Sequence, residues 1–160
     1  MRVLLAILLL LAVPATTAAS DASLRRTWTH YLAGSNRVDF DGEVGGEAIS
    51  AQARARLHRV TRVVNDTRRA LARDGADSGA GVVARKAGLL ALRAAAAVSR
   101  DLRALFPQLT SVLDRFEAGD PDAALDALRG LREQLTRLGH VAKRSDRLDK
   151  RATRLFARAV

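Results

Sequence analysis

Residues 87–106, AGLLALRAAAAVSRDLRALF, constrain the fold more than any other stretch of the chain. The segment is helix-forming throughout, and small side chains dominate it. Its polar positions are Arg93, Ser99, Arg100, Asp101 and Arg103. Lys86, Arg93 and Arg100 recur every seven residues and so share one narrow helix face. The rest of its circumference is free to touch other protein. This pattern predicts the most buried helix of a bundle, with neighbours close against its alanines.

Apolar stripes at three- and four-residue steps recur on either side of it. Residues 23–33 read as a short helix with Leu24, Trp28, Tyr31 and Leu32 on one face, ended by Gly34. Trp28 and Tyr31 are the only Trp and Tyr in the chain, and a packing role is the expectation for both. Residues 34–46 carry four glycines and read as a Gly/Asp-rich loop. A long helix follows over 47–74, with Ile49, Ala53, Leu57, Val60, Val64, Thr67 and Leu71 in its stripe. DGADSGAG is a connector, and the central helix runs from about residue 81. At Pro107 it either kinks or restarts, because proline lacks the backbone N–H and disfavours helix at the residue before it. Leu109, Val112, Leu113 and Phe116 then resume the apolar face.

Gly119-Asp120-Pro121 combines a helix stop, an N-cap and a first helical residue. Beyond it Leu125, Leu128, Leu131, Leu135 and Leu138 form a stripe, continued by Ala142, Leu148, Ala152, Leu155 and Phe156, with a bend expected near Gly139. Each stripe has to be hidden, and short connectors make neighbours antiparallel. The expected fold is all-α: an antiparallel up-down helical bundle of three to four long helices plus a short N-terminal one, with Pro107 and Gly139 as the kink positions.

The chain divides into three parts. Residues 1–19 read as a signal peptide. Arg2 supplies a positive start, an apolar run of eleven covers 3–13, and Pro14 precedes small residues, with cleavage expected after Ala19. The run is too short to span a bilayer, which makes an uncleaved anchor the weaker reading. Residues 20–46 are the short helix and loop, and 47–160 the bundle domain. The expected location is outside the cytoplasm, periplasmic or secreted. There is no cysteine, and Met1 is the only methionine. Thiolate and thioether chemistry is therefore excluded for the processed chain, and its core has to hold without disulfides.

No nucleophile motif, phosphate-cradling glycine loop or HExxH is present, and no enzymatic activity is expected. Asp39, Asp41, Glu43 and Glu47, with His30, are the metal candidates. In an EF-hand register, however, Arg37 and Ala48 fall where carboxylates belong, so a solvated acidic loop is the better reading. His30, His58 and His140 are far apart and unpaired at ligand spacing. No cofactor is expected, and His58 and His140 are the residues a haem or metal carrier would use.

The run EAGDPDAALDALRGLREQLTRLGH, residues 117–140, resembles the last helix of cytochrome b562-type exported bundles. The resemblance places His140 at the haem-ligating histidine. That family's second axial ligand is a methionine on its first helix, and the processed chain has none. Size, leader and basic helical surface also resemble periplasmic chaperones of the Spy and CpxP type. Their LTxxQ signature is not met, since Leu113 follows Leu109-Thr110 and Gly139 follows Leu135-Thr136 at the glutamine position.

Charge is the remaining signal. The chain carries 27 Lys and Arg against 17 Asp and Glu, a formal +10, and loss of Arg2 with the leader leaves +9. Arginines at 54, 56, 59, 62, 68, 69 and 73 occupy the polar circumference of the first long helix. Residues 143–158 hold seven cations and two carboxylates, with Lys143, Arg147, Lys150, Arg154 and Arg158 on one face opposite Leu148, Ala152, Leu155 and Phe156. A basic amphipathic helix of this kind can lie on an anionic membrane or dock a partner. The expected function is binding, through Arg54, Arg62, Arg69, Lys143, Arg147, Lys150, Arg154 and Arg158, to an anionic envelope component or a protein partner. Nucleic acid is disfavoured by export and by the lack of a helix-turn-helix or aromatic platform.

Overall fold

The computed structural model describes residues 20–36 and 46–159. The expected leader and most of the acidic loop (Asp39, Asp41 and Glu43) lie outside the described residues, as does the Glu47 side chain. The described chain is all-helical: α1 Asp21–Asn36, α2 Gly46–Arg73, α3 Gly79–Glu117, α4 Pro121–Gly130 and α5 Arg132–Arg158. The long helix α3 is the hub and packs on the other four. α1 also touches α2 and α5, whereas α2 and α5 do not pack on one another.

Small residues make the hub. Gly81, Ala84, Gly88, Ala91 and Leu92 of α3 are buried. At Gly88 an added Cβ would stand 2.9 Å from the Phe156 ring of α5 and 3.1 Å from Leu71 of α2. Two neighbours therefore press on α3 at one level, as the alanine-rich stretch predicts. The main core is Leu24, Trp28 and Tyr31 of α1, Val64 and Leu71 of α2, Ala84, Ala91 and Leu92 of α3, and Ala152 and Phe156 of α5. Trp28 stacks on Phe156 at 5.0 Å and tilts against Tyr31 at 4.8 Å. A second, smaller core holds Leu105, Val112, Ala124 and Leu131.

Several expectations need correction. α1 does not stop at Gly34 but runs to Asn36. Gly34 is instead a contact glycine, its missing Cβ leaving room for Val63 of α2 at 3.2 Å. α3 starts at Gly79, two residues early, because Ser78 caps it by accepting the Gly81 N–H at 2.9 Å. It passes through Pro107 as one helical element. α5 is continuous through Gly139, where a bend is expected. The interruption falls at Leu131, whose N–H donates to Leu128 O at 3.1 Å. Gly139 is exposed, where a helical glycine costs only about 1 kcal/mol. Leu131 is buried in the second core at the junction of α4 and α5.

The largest departure is in the apolar stripes. Leu125 and Leu128 were expected inside, yet they are 42% and 38% exposed. Ala124 takes the core position of α4 instead. Leu113 and Phe116 of α3 are likewise exposed, at 39% and 45%. Leu90 of α3, beside the Lys86–Arg93 face, is 46% exposed. One neighbouring helix cannot cover two leucine rows, and small residues let that helix come closest.

Candidate anion-binding surface

α5 owes its position to its apolar face. Ala152 and Phe156 are buried against α1 and α3, and the polar rim beside them is tied down by hydrogen bonds. Trp28 Nε1–H donates to Thr153 Oγ1 at 3.0 Å, and the Tyr31 hydroxyl donates to Asp149 at 3.2 Å. Burial raises the Asp149 carboxyl above its ordinary value; the Tyr31 hydrogen bond opposes the rise and the charge of Asp146 adds to it. Burial also pushes the Tyr31 phenol up, with Asp149 reinforcing the shift.

Lys143, Arg147, Lys150, Arg154 and Arg158 are exposed on the other side of this helix, and Arg144 and Arg151 are exposed on its flank. Both carboxylates of the segment are engaged, Asp149 with Tyr31 and Asp146 with Lys150 at 2.9 Å. Among the described residues Lys150 is the only one of these seven cations in an ion pair. Arg147 and Arg154 donate their Nε–H back to the carbonyls of Lys143 and Lys150, at 3.4 and 3.2 Å. Their guanidiniums therefore lie along the helix with their terminal nitrogens available.

The second basic face is on α2. Arg54, Arg62 and Arg69 are exposed, but they are not equivalent. Arg54 stands over the Phe106 ring at 5.4 Å, a cation–π contact that ties it to α3. Arg69 approaches Asp66 at 3.8 Å with both groups in solvent, an arrangement that contributes little. Arg62 has no ion pair among the described residues. The two faces belong to different helices, which pack on α3 rather than on one another.

Two polar devices at helix ends fix the frame. Arg85 donates to the carbonyls of Leu71 and Ala72 at 2.6 and 2.7 Å, which satisfies the open C-terminal end of α2. Asp21 accepts from the Asp77 N–H at 3.0 Å and from the Ser78 hydroxyl, so the start of α1 is held at the start of α3. The Ser78 bond is the main reason the Asp21 carboxyl sits below its ordinary value. A Cβ at Gly81 would meet that carboxylate, so a larger residue there would have to displace the Asp21 side chain.

His30, His58 and His140 are exposed. His58 is on α2 and His140 on α5, so the fold does not bring these two together. His140 borders a shallow depression with Arg129, Glu133 and Arg137. Among the described residues no cluster of three or more His, Asp or Glu could hold a metal, and no described helix is long and apolar enough to cross a membrane.

One surface escaped the sequence reading. Val83, Ala87 and Leu90 of α3 and Leu148 and Leu155 of α5 line an open groove, with Lys86 and Arg151 at its edges. Leu90 was the available signal. It lies four residues from Lys86 and three from Arg93, on the polar side of α3. Comparison with protein-family models, with characterised proteins and with solved structures finds no match to this chain.

Proposed function

We propose that this chain is an exported, non-enzymatic binding protein that engages an anionic envelope surface through the basic face of α5, with the arginines of α2 as a second, weaker contact. In this reading the leader is removed and the helices run up and down in an antiparallel bundle, as their short connectors favour. One observation carries the proposal: both carboxylates of residues 143–158 are occupied, which leaves Lys143, Arg147, Arg154 and Arg158 exposed and without ion pairs among the described residues. A row of cations at helical spacing raises the local concentration of an anionic surface, and the attraction weakens as salt screens it.

Vesicles of phosphatidylglycerol should retain the protein at low salt, and vesicles of phosphatidylcholine should not. Retention should fall steeply on raising salt from about 0.01 M to about 0.15 M, where the Debye length shrinks from roughly 30 to 8 Å. The variant with Lys143, Arg147, Arg154 and Arg158 all changed to Glu should lose retention while keeping its helical circular dichroism. Equal retention of this variant would overturn the reading.

A further inference from the structure

The net charge conceals an opposite pole. Residues 112–129, which span the α3–α4 turn, hold five carboxylates (Asp114, Glu117, Asp120, Asp122, Asp126) against two cations, Arg115 and Arg129. Asp120 is spent on the α4 cap and Asp126 on Arg129. Asp114, Glu117 and Asp122 are exposed and have no ion pair among the described residues. The same segment carries four of the seven large apolar side chains left exposed among the described residues: Leu113, Phe116, Leu125 and Leu128. An acidic end bearing unburied leucines and a phenylalanine is unusual on a chain of formal charge +10.

Its chemical complement is on the same molecule. The groove between α3 and α5 presents Val83, Leu90, Leu148 and Leu155 between Lys86 and Arg151. Val83 and Leu90 are 51% and 46% exposed. Neither Lys86 nor Arg151 forms an ion pair among the described residues. The groove is built on the 83–90 portion of α3 and the acidic end on the 112–117 portion. At 1.5 Å per residue these lie some 40 Å apart along one helix, so a single chain cannot bring them together.

We infer that the acidic, apolar α3–α4 end of one copy docks into the basic, apolar α3–α5 groove of a second copy. The side chains of Phe116 and Leu125 enter between Leu90 and Leu155, while Asp114, Glu117 and Asp122 meet Lys86 and Arg151. Such a contact joins two different surfaces. It leaves one groove and one acidic end open at the extremities, and it propagates into chains rather than closing as a pair. The surfaces are small, so the association is weak, concentration-dependent and sensitive to salt. This inference does not depend on the α5 face that binds the envelope, since Lys86, Arg151 and the α3–α4 end are outside that set.

Sedimentation of the protein, expressed from the full chain, tests it. At low salt the average mass should rise with concentration past that of a dimer, and it should return to the monomer value at high salt. Two exposed-residue variants sharpen the test: Asp114→Lys/Glu117→Lys/Asp122→Lys at the end, and Lys86→Glu/Arg151→Glu in the groove. Each alone should shift the association midpoint by more than about tenfold, because like charges then face each other. Mixing the two variants should restore association, since each reversed surface now complements a reversed one. A protein that stays monomeric at every concentration overturns the inference. So does association that neither variant weakens, that only the end variant weakens, or that the mixture fails to restore.

Discussion

The two ends of α3 are built on different physical terms. Around Gly88 four helices converge: Trp28 and Phe156 are 2% exposed and Leu71 and Leu92 are 0%, while Val83 and Leu90 on the outer side of α3 stay open in the groove. Around Val112 α4 and the start of α5 supply the cover, and the second core has Leu105, Val112, Ala124 and Leu131 as its buried members. There the leucines and the phenylalanine remain partly in water. Identical stripe periodicity thus does not imply identical burial. The number of neighbours decides how wide a stripe can be hidden, and where there are few, alanine outcompetes leucine for the contact because it lets backbones approach.

The largest expected effect separates the two ends directly. Phe156→Ala should cost about 3–5 kcal/mol in urea unfolding, since its ring fills space between α1, α3 and α5. Leu131→Ala should cost only about 2 kcal/mol, at the low end for a buried leucine, because the thin second core can collapse around the gap. Amides of residues 113–130 should also exchange with solvent more freely than those of 84–96. Equal costs and equal protection would show that the two ends form one cooperative core.

A glycine pair gives the next effect, and its sign differs between regions. Gly88→Ala places a methyl 2.9 Å from Phe156 and 3.1 Å from Leu71, and should destabilise by about 1–3 kcal/mol. Gly139→Ala meets nothing within 4 Å and should stabilise by about 0.5–1 kcal/mol through helix propensity. Thermal unfolding of the two variants distinguishes them, and a stabilising Gly88→Ala would mean that the helices are less tightly apposed than described.

The smallest effect is a pair of opposing pH dependences, both in the four-helix end. Asp149 has a raised folded value, so its contribution is complete below the ordinary 3.8 and is lost as pH rises through the raised value. Asp21 has a lowered value, so its contribution is present above 3.8 and is lost as pH falls through the lowered one. Urea midpoints followed from pH 3 upward should show Asp149→Asn gaining on the wild type as pH rises and Asp21→Asn falling behind it. Parallel profiles would remove both assignments.

Much of this was legible in residue order. The Gly119-Asp120-Pro121 punctuation produced the α3–α4 turn, where Gly119 adopts φ 77°, a conformation other residues resist. The α2 stripe through Leu57, Val64, Thr67 and Leu71 is buried as its spacing predicts. The basic face of residues 143–158 could be read directly, because charge does not need a neighbour to exist. The roles of Asp149 and Asp21 could not, since their partners Tyr31 and Ser78 are distant in the chain. Nor could the groove at Leu90, or the exposure of Leu125 and Leu128, be read from periodicity.

Residue order therefore fixed the helical character of the chain, its Gly119-Asp120-Pro121 turn and the distribution of charge along its helices, because backbone sterics, caps and side-chain spacing act within a few residues. Tertiary structure alone decided how many helices meet at each level of α3, and with it which apolar rows were covered, which carboxylates were occupied and which cations stayed open to solvent. Burial is a property of neighbours, and neighbours are set by packing across the whole chain rather than by any local run of residues.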